Sequence, residues 1–315
     1  MTLKRPKIAV IGGGNVGATT AHLIALQNLA DVVVVDIVQN LPQGKMLDLG
    51  CSAPVEGFDV KVTGSNDYAA IEGADVVVHT AGVPRKPGMS RDDLVETNAK
   101  IARSVGESIR RYALESIVVV VANPLDAITY VISEVTGFPK SRVMGQAGVL
   151  DSARFRSFIA WELGVSVDSV QGFVLGGHGD TMVPVPSLCS VGGVPVTRLI
   201  PEDRLDAIVQ RARDGGAEVV KLLGTSAWYA PASCTVEMVE AIVNDRKKVL
   251  PTAAYLDGEY GLKGLFIGVQ AVLGASGVEK IWEVPLSKEE LSALHQSAKA
   301  VEELVGVVRK LGVLS

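Results

Sequence analysis

The chain reads as an α/β protein, a doubly wound parallel sheet in its N-terminal half followed by an α+β half. Three observations predict this. Short, continuous apolar runs alternate with stretches long enough for crossover helices, as strands buried on both faces of a parallel sheet require. A glycine-rich turn follows the first of those runs. Beyond about residue 145 the alternation stops, and a hairpin pattern and long helical patterns replace it.

Strands are expected over 7–11, 32–36, 76–81 and 117–122, with helices over 17–29, 90–112 and 126–136. A short strand over 142–144 leads into a helix over 150–163. The second half then predicts a strand over 170–175 and a hairpin over 184–196 around Gly192-Gly193. Helices over 202–223 and 232–245 follow, then strand-like segments at 249–255, 264–273 and 278–284. A final helix spans 287–311, and Ser287 with Glu290 three residues later predicts a capping box at its start. The expected domains are 1–145 and 146–315. No repeat or low-complexity linker interrupts them.

The bulk properties exclude several function classes. The 315 residues suit two domains, and 48% hydrophobic with 21% charged residues suits a well-buried globular protein. With 30 Lys+Arg against 35 Asp+Glu, the net charge of -5 lacks the basic footprint of a nucleic-acid binder. It also gives no general attraction to anionic membranes. Neither a leader nor a run approaching the roughly 18 apolar residues of a membrane span is readable, so a soluble, cytoplasmic protein is expected. Cys51, Cys189 and Cys234 show no CxxC spacing, and with only four histidines no metal site is expected.

The chemistry begins at Ile8-Ala9-Val10-Ile11-Gly12-Gly13-Gly14-Asn15-Val16-Gly17. GxGxxG alone is weak, but here a strand precedes it, a helix follows, and Asp36 ends the next strand about twenty residues on. That is the fingerprint of a Rossmann dinucleotide-binding unit. Gly12 permits the turn, Gly14 lets backbone approach a pyrophosphate, and Gly17 lets helix and strand pack closely. The helix N-terminus offers amides to the phosphates. Asp36 would bind the adenosine ribose and repel a 2′-phosphate, and Ile37 and Val38 offer no cation instead, so NAD is expected over NADP.

His178 lies in Gly176-Gly177-His178-Gly179-Asp180, where flanking glycines leave room for a substrate. His22, His79 and His295 fall inside expected helices or a buried strand and read as structural. Asp151 and Arg154 share one helical face. A carboxylate beside an imidazole fixes its tautomer and favours its charged form, while a guanidinium fork suits a substrate carboxylate. An exposed ion pair would have the same spacing. Asn123 stands at the carboxyl end of a strand, where ligands bind in open α/β sheets, and Asn-Pro is also an ordinary turn signal. The stretch 81–91 follows a strand and carries Arg85, Lys86 and Arg91. It reads either as a solvated loop or as a lid closing over an anion.

AGVPRKPGMSR, VANPLD, GQAGVLDSARFR and GGHGD occur in that order, and the chain from Lys7 to Leu311 resembles the lactate/malate dehydrogenase family. The resemblance implies that His178 is the general acid/base, Asp151 its partner, and Arg154 the clamp on the C1 carboxylate. It implies that Arg91 polarises the reacting carbonyl and that Asn123 hydrogen-bonds the substrate oxygen. Expected NAD contacts are Gly12, Gly13, Gly14, Asn15, Val16, Gly17, Asp36, Asn98, Val121, Ala122 and Asn123. At the position of Arg85 the lactate enzymes of the family carry a neutral glutamine and the malate enzymes an arginine. Oxaloacetate brings a second carboxylate to pair with that arginine, whereas pyruvate would leave it desolvated and unpaired. The pattern therefore resembles the lactate-dehydrogenase-like branch of the malate enzymes. It implies reversible oxidation of (S)-malate to oxaloacetate, a tricarboxylic acid cycle reaction, by a homodimer or homotetramer. Lactate oxidation is the alternative within the family. An NAD-dependent glycosidase and a silent NAD sensor are the alternatives outside it; the first needs a metal, and the second has no use for His178, Asp151, Arg154 and Arg91 together.

Overall fold

The computed structural model describes residues 5–84 and 91–314, with the side chains of residues 91 and 92 outside that description. The N-terminal half contains β1 (Lys7–Ile11), α1 (Asn15–Leu26), β2 (Asp31–Val35), α2 (Leu41–Glu56), β3 (Val62–Ser65), β4 (Val76–His79), α3 (Arg91–Tyr112), β5 (Ile117–Val120), α4 (Leu125–Thr136) and β6 (Val143–Gly145). These six strands run parallel in the order β3-β2-β1-β4-β5-β6. The chain crosses from β3 to β4 over β1 and β2, so the strand order reverses between β1 and β4. Ligands of open α/β sheets bind at the carboxyl ends of the strands at that switch point.

The second half contains α5 (Gly148–Leu163), β7 (Val170–Gln171), β8 (Val174–Leu175), β9 (Val183–Pro184), β10 (Ser190–Val191) and β11 (Val194–Pro195). It continues with α6 (Glu202–Leu223), α7 (Tyr229–Val243), β12 (Lys248–Asp257), β13 (Lys263–Gly274), β14 (Gly277–Ile281) and α8 (Lys288–Lys310). The antiparallel meander β12-β13-β14 does not form a separate sheet. β12 pairs with β6 at Ala253↔Gly145 and extends the parallel sheet to nine strands. One main apolar core therefore spans both halves, and a second gathers around Phe155, Ile159 and Val170.

Several expectations hold closely. The strands of the large sheet other than β3 fall on the expected apolar runs, α6 covers its predicted span, and the hairpin turns at Gly192-Gly193 between β10 and β11. At α8, Ser287 Oγ accepts from the Glu290 amide at 3.1 Å while Glu290 Oε2 accepts from the Ser287 amide at 2.9 Å, closing the capping box. Elsewhere the boundaries differ. The expected strand over 170–175 is two short strands, β7 pairing with β10 and β8 with β9. α7 starts at Tyr229 rather than 232, because Pro231 sits in its first turn, where no amide donor is missed. Two elements, α2 and β3, have no counterpart among the expectations. α2 buries only Pro42 and Met46, and β3 is a half-buried edge strand, so neither carries the periodic apolar signal that marks a core element. Among the described residues no helix is long and apolar enough to cross a membrane.

His79 closes β4 with 0% exposure, and neither ring nitrogen finds a partner among the described residues. Burial in an apolar sheet disfavours the imidazolium and pushes its pKa down to about 4. Between that value and the unfolded value near 6.5 the unfolded chain binds more protons. The stability that a neutral His79 contributes is thus complete above about pH 6.5 and lost as pH falls towards 4. Replacing His79 with leucine removes this dependence. Between pH 7 and pH 5 the wild-type chain should lose about 2 kcal/mol more unfolding free energy than His79→Leu, as read from urea midpoints at the two pH values. Equal losses would contradict a buried neutral imidazole.

Candidate active site

At the switch point β1 ends in the glycine turn. Gly12 has φ +107°, and a Cβ there would lie 2.6 Å from Thr80 Oγ1. A Cβ on Gly17, in the first turn of α1, would lie 1.8 Å from the Gly12 carbonyl oxygen, so helix and turn approach as only glycine permits. Gly14 differs: a Cβ there meets nothing within 4 Å and points into open space. Asp36 follows β2, and its Oδ2 accepts from the Gly13 amide at 2.6 Å while its Oδ1 accepts from the Val38 amide at 2.8 Å. Lys45 of α2 donates to the Gly13 carbonyl at 2.7 Å. The turn is therefore held on both faces of Gly13, by a carboxylate and by an ammonium group.

From Gly14, Asn15, Val16 and Gly17 a cleft runs past Val83 and Asn98 to Val121, Ala122 and Asn123, and ends at His178. Gly12, Gly13, Asp36, Asp151 and Arg154 are not part of this lining. An open glycine cradle, a helix N-terminus and a carboxylate beyond the second strand fit a dinucleotide with an unphosphorylated adenosine ribose.

β5 ends at Val120, two residues short of the expected strand, because the Val121 and Ala122 amides both turn to the His79 carbonyl. Asn123 and Pro124 follow, joined by a cis peptide bond, before α4 begins. Asn98, on α3 and 2% exposed, spends its amide on backbone. Its Oδ1 accepts from the Val83 amide at 2.8 Å, and its Nδ2 donates to the Val83 carbonyl at 3.1 Å and to the Asn123 carbonyl at 2.7 Å. Both amide hydrogens are used, so toward the cleft it retains one lone pair on Oδ1. It fastens the loop after β4 to the loop after β5.

His178 follows β8, in a loop anchored by reciprocal backbone bonds between Gly176 and Gly268 of β13, at 2.8 and 3.0 Å. Its Nδ1 lies 2.9 Å from Oδ2 of Asp151, which is 2% exposed in the first turn of α5. A carboxylate only accepts, so the neutral ring carries its proton on Nδ1 and leaves the Nε2 lone pair for a reacting proton. Asp151 Oδ1 meanwhile accepts from Arg154 Nη1 at 3.3 Å. Burial pulls the His178 pKa down. The charge of Asp151 and its hydrogen bond, with a smaller contribution from Asp126, outweigh burial and Arg154 and leave the pKa raised. The structure thus brings His178 and Arg154 together on the buried carboxylate of Asp151, with both of them partly buried, not as an exposed ion pair. Arg85 lies outside the described residues, as does the side chain of Arg91 at the start of α3.

Some site residues had escaped sequence reasoning. Thr225, Ser226 and Trp228, between α6 and α7, line the same cleft. Gly224, left-handed at φ +72°, ends α6, and the Thr-Ser pair after it was a readable loop signal. Where that loop lands was not readable. Lys45 had no signal, because α2 itself had none. Asp126 was part of VANPLD but read only as the start of a helix. Among the described residues no His/Cys/Asp/Glu group could hold a metal ion.

The model for the lactate/malate dehydrogenase NAD-binding domain matches residues 6–145, and that for the lactate/malate dehydrogenase alpha/beta C-terminal domain matches residues 148–307. The chain is 56% identical over 307 residues to a malate dehydrogenase of Thermomicrobium roseum, covering 98% of this chain and 99% of that one. A solved malate dehydrogenase from Salinibacter ruber is similar at 52% identity and TM-score 0.93, covering 97% of this chain and 98% of that one. A lactate dehydrogenase from Cryptosporidium parvum, solved with lactic acid and β-nicotinamide adenine dinucleotide, is similar at 42% identity and TM-score 0.95, covering 98% of this chain and 99% of that one.

Two glycine substitutions separate packing from ligand approach. Gly17→Ala forces its Cβ into the Gly12 carbonyl and should lower both thermal stability, by about 1–3 kcal/mol, and NADH affinity. Gly14→Ala meets nothing in the protein, so stability should hold while NADH affinity, read by fluorescence titration, falls about tenfold or more. Unchanged NADH affinity in Gly14→Ala would remove that glycine from the cofactor path.

Proposed function

The chain belongs to the lactate/malate dehydrogenase family, and on that premise we propose that it catalyses reversible NAD-dependent oxidation of (S)-malate to oxaloacetate. The observation that carries the reading is the Asp151 carboxylate shared between His178 Nδ1 and Arg154 Nη1. That arrangement combines a proton-transferring imidazole with a guanidinium suited to a substrate carboxylate.

A bound NAD would supply the hydride acceptor for C2 of the hydroxy acid, and its reduced form the hydride donor for the reverse reaction. Gly12 to Gly17 would hold its phosphates and Asp36 its ribose, and Val121, Ala122, Asn123 and Asn98 would wall its path. In the forward direction the Nε2 lone pair of His178 takes the hydroxyl proton, and Asp151 stabilises the resulting imidazolium. In reverse that imidazolium protonates the keto oxygen. Arg154 binds the C1 carboxylate through donors not engaged by Asp151, and Asn123 hydrogen-bonds the reacting oxygen. Arg91 polarises the carbonyl, and Arg85 receives the second carboxylate. Placement by such groups and acid/base catalysis by His178 are worth several orders of magnitude.

The choice of malate over lactate is supported by relatives named malate dehydrogenase at 53–56% identity. The cationic Arg85 supports it independently, because a monoacid leaves that charge unpaired. Fold likeness does not separate the two, since lactate and malate enzymes both match at a TM-score of 0.95. We further infer a division into a cofactor domain over 1–145 and a catalytic domain over 146–315. A homodimer or homotetramer follows from the same family reading. A cytoplasmic setting is supported by the free thiols of Cys51, Cys189 and Cys234.

His178→Asn should lower kcat for oxaloacetate reduction by about a thousandfold or more while NADH still binds. Near-normal turnover would reject its role. Arg85→Gln should lower kcat/KM for oxaloacetate about a hundredfold and improve pyruvate relative to it. Unchanged values for both keto acids, assayed spectrophotometrically with NADH, would take Arg85 out of substrate selection.

A further inference from the structure

Behind the loop that carries His178 lies a second acidic side chain, Asp126. It occupies the first turn of α4 and is 4% exposed. Its Oδ2 accepts from the His178 amide at 2.9 Å, and its Oδ1 has no hydrogen-bond partner among the described residues. The preceding residue in the loop is shaped around it: a Cβ on Gly177 would stand 3.2 Å from Asp126 Oδ2 and 2.7 Å from Val301 Cγ2. The Gly177 amide is held in turn by Ser297 Oγ of α8 at 2.8 Å.

A buried carboxylate with one oxygen unsatisfied is a costly way to hold a single amide. A serine hydroxyl or an asparagine carbonyl would accept the same hydrogen without desolvating a charge, as Ser297 does for the neighbouring amide. The charge therefore calls for a purpose beyond the amide bond. We propose that Asp126 is a second carboxylate serving His178, anchoring its backbone from α4 while its charge joins that of Asp151 in favouring the imidazolium. The same short segment then delivers two functions to the site, with Asn123 facing the substrate and Asp126, three residues on, backing the proton-transfer group.

The charged groups facing His178 among the described residues are Asp151 and Arg154 from α5 and Asp126 from α4. Arg154 opposes the imidazolium and both carboxylates favour it. Burial raises the Asp126 carboxyl to about 6, against the pull of His178 and its amide, so it still carries its charge at neutral pH. Asp126 touches no reacting atom in this arrangement and acts as a positioning residue.

The inference rests on His178 being the proton-transferring group, so wild-type turnover of oxaloacetate and its loss in His178→Asn come first. Failure there defeats the reading of the reaction and leaves the Asp126 geometry as it stands. Asp126→Asn then keeps an oxygen for the His178 amide and removes only the charge. Oxaloacetate reduction needs the imidazolium, so its alkaline limb in kcat/KM should move to lower pH by about 0.5–1 unit, with KM for oxaloacetate at neutral pH within about twofold of wild type. Ser297→Ala loosens the Gly177 amide without altering charge, and should lower kcat without moving the limb. Asp126→Ala loses anchor and charge together, and its kcat should fall about tenfold below that of Asp126→Asn. A pH profile of Asp126→Asn that superimposes on wild type overturns the proposal, as does wild-type kcat in Asp126→Ala. If the variants do not fold, hydrogen exchange on the wild-type chain decides the anchor. The His178 amide should be as protected as the amides of α4, and rapid exchange would overturn it.

Discussion

Asp151 is a carboxylate at 2% exposure, and no buried anion is tolerated without partners. Its two oxygens reach one imidazole and one guanidinium, from a loop and from its own helix. This sharing is the constraint on which the rest of the site depends. It fixes which nitrogen of His178 carries the proton, holds Arg154 in one orientation, and ties the loop after β8 to α5. A single buried charge thus fixes the imidazole and the guanidinium at once, and loss of either would leave one of its oxygens without that partner.

The sheet places that triad. The parallel strands reverse their order between β1 and β4, opening a crevice at their carboxyl ends. The β12-β13-β14 meander continues the same sheet beyond β6, and β13 bonds back to Gly176 beside the histidine loop. The glycine turn and the His178 loop are therefore both tied to one hydrogen-bonded sheet. Asn98 repeats the strategy on a smaller scale, binding two strand-end loops into one wall through three bonds to backbone. Polar side chains at this site work largely by holding backbone, and the groups left for chemistry are few.

Much of the fold was legible because a parallel sheet writes itself as runs of buried β-branched residues, and Val32-Val33-Val34-Val35 admits hardly any other reading. The glycine turn was legible because Gly12 and Gly17 stand in contacts under 3 Å that no other residue allows, with the open Gly14 between them. α2 was not, because it buries only Pro42 and Met46, and an exposed helix interrupted by Gly44, Gly50 and Pro54 has no apolar stripe to detect. β7 and β8 were merged, because pairing partners from distant segments, not local pattern, divide that run. Strand pairs of two residues lie below any periodicity.

The sequence by itself determined the two-part α/β plan, the dinucleotide turn with Asp36, and the candidacy of His178, Asp151 and Arg154. Each of these is written in local residue type and spacing. Only the tertiary structure decided that a buried Asp151 joins His178 to Arg154, that Asn98 is a fastener, and that Asp126 lies against the back of the histidine loop. Residues 126 and 178 meet because α4 lies against the loop after β8, and residues 98 and 123 because α3 lies against the loop after β5. Contacts made through folding at such separations leave no imprint on the intervening chain, and the energy of burying a charge exists only once the surrounding layers are in place.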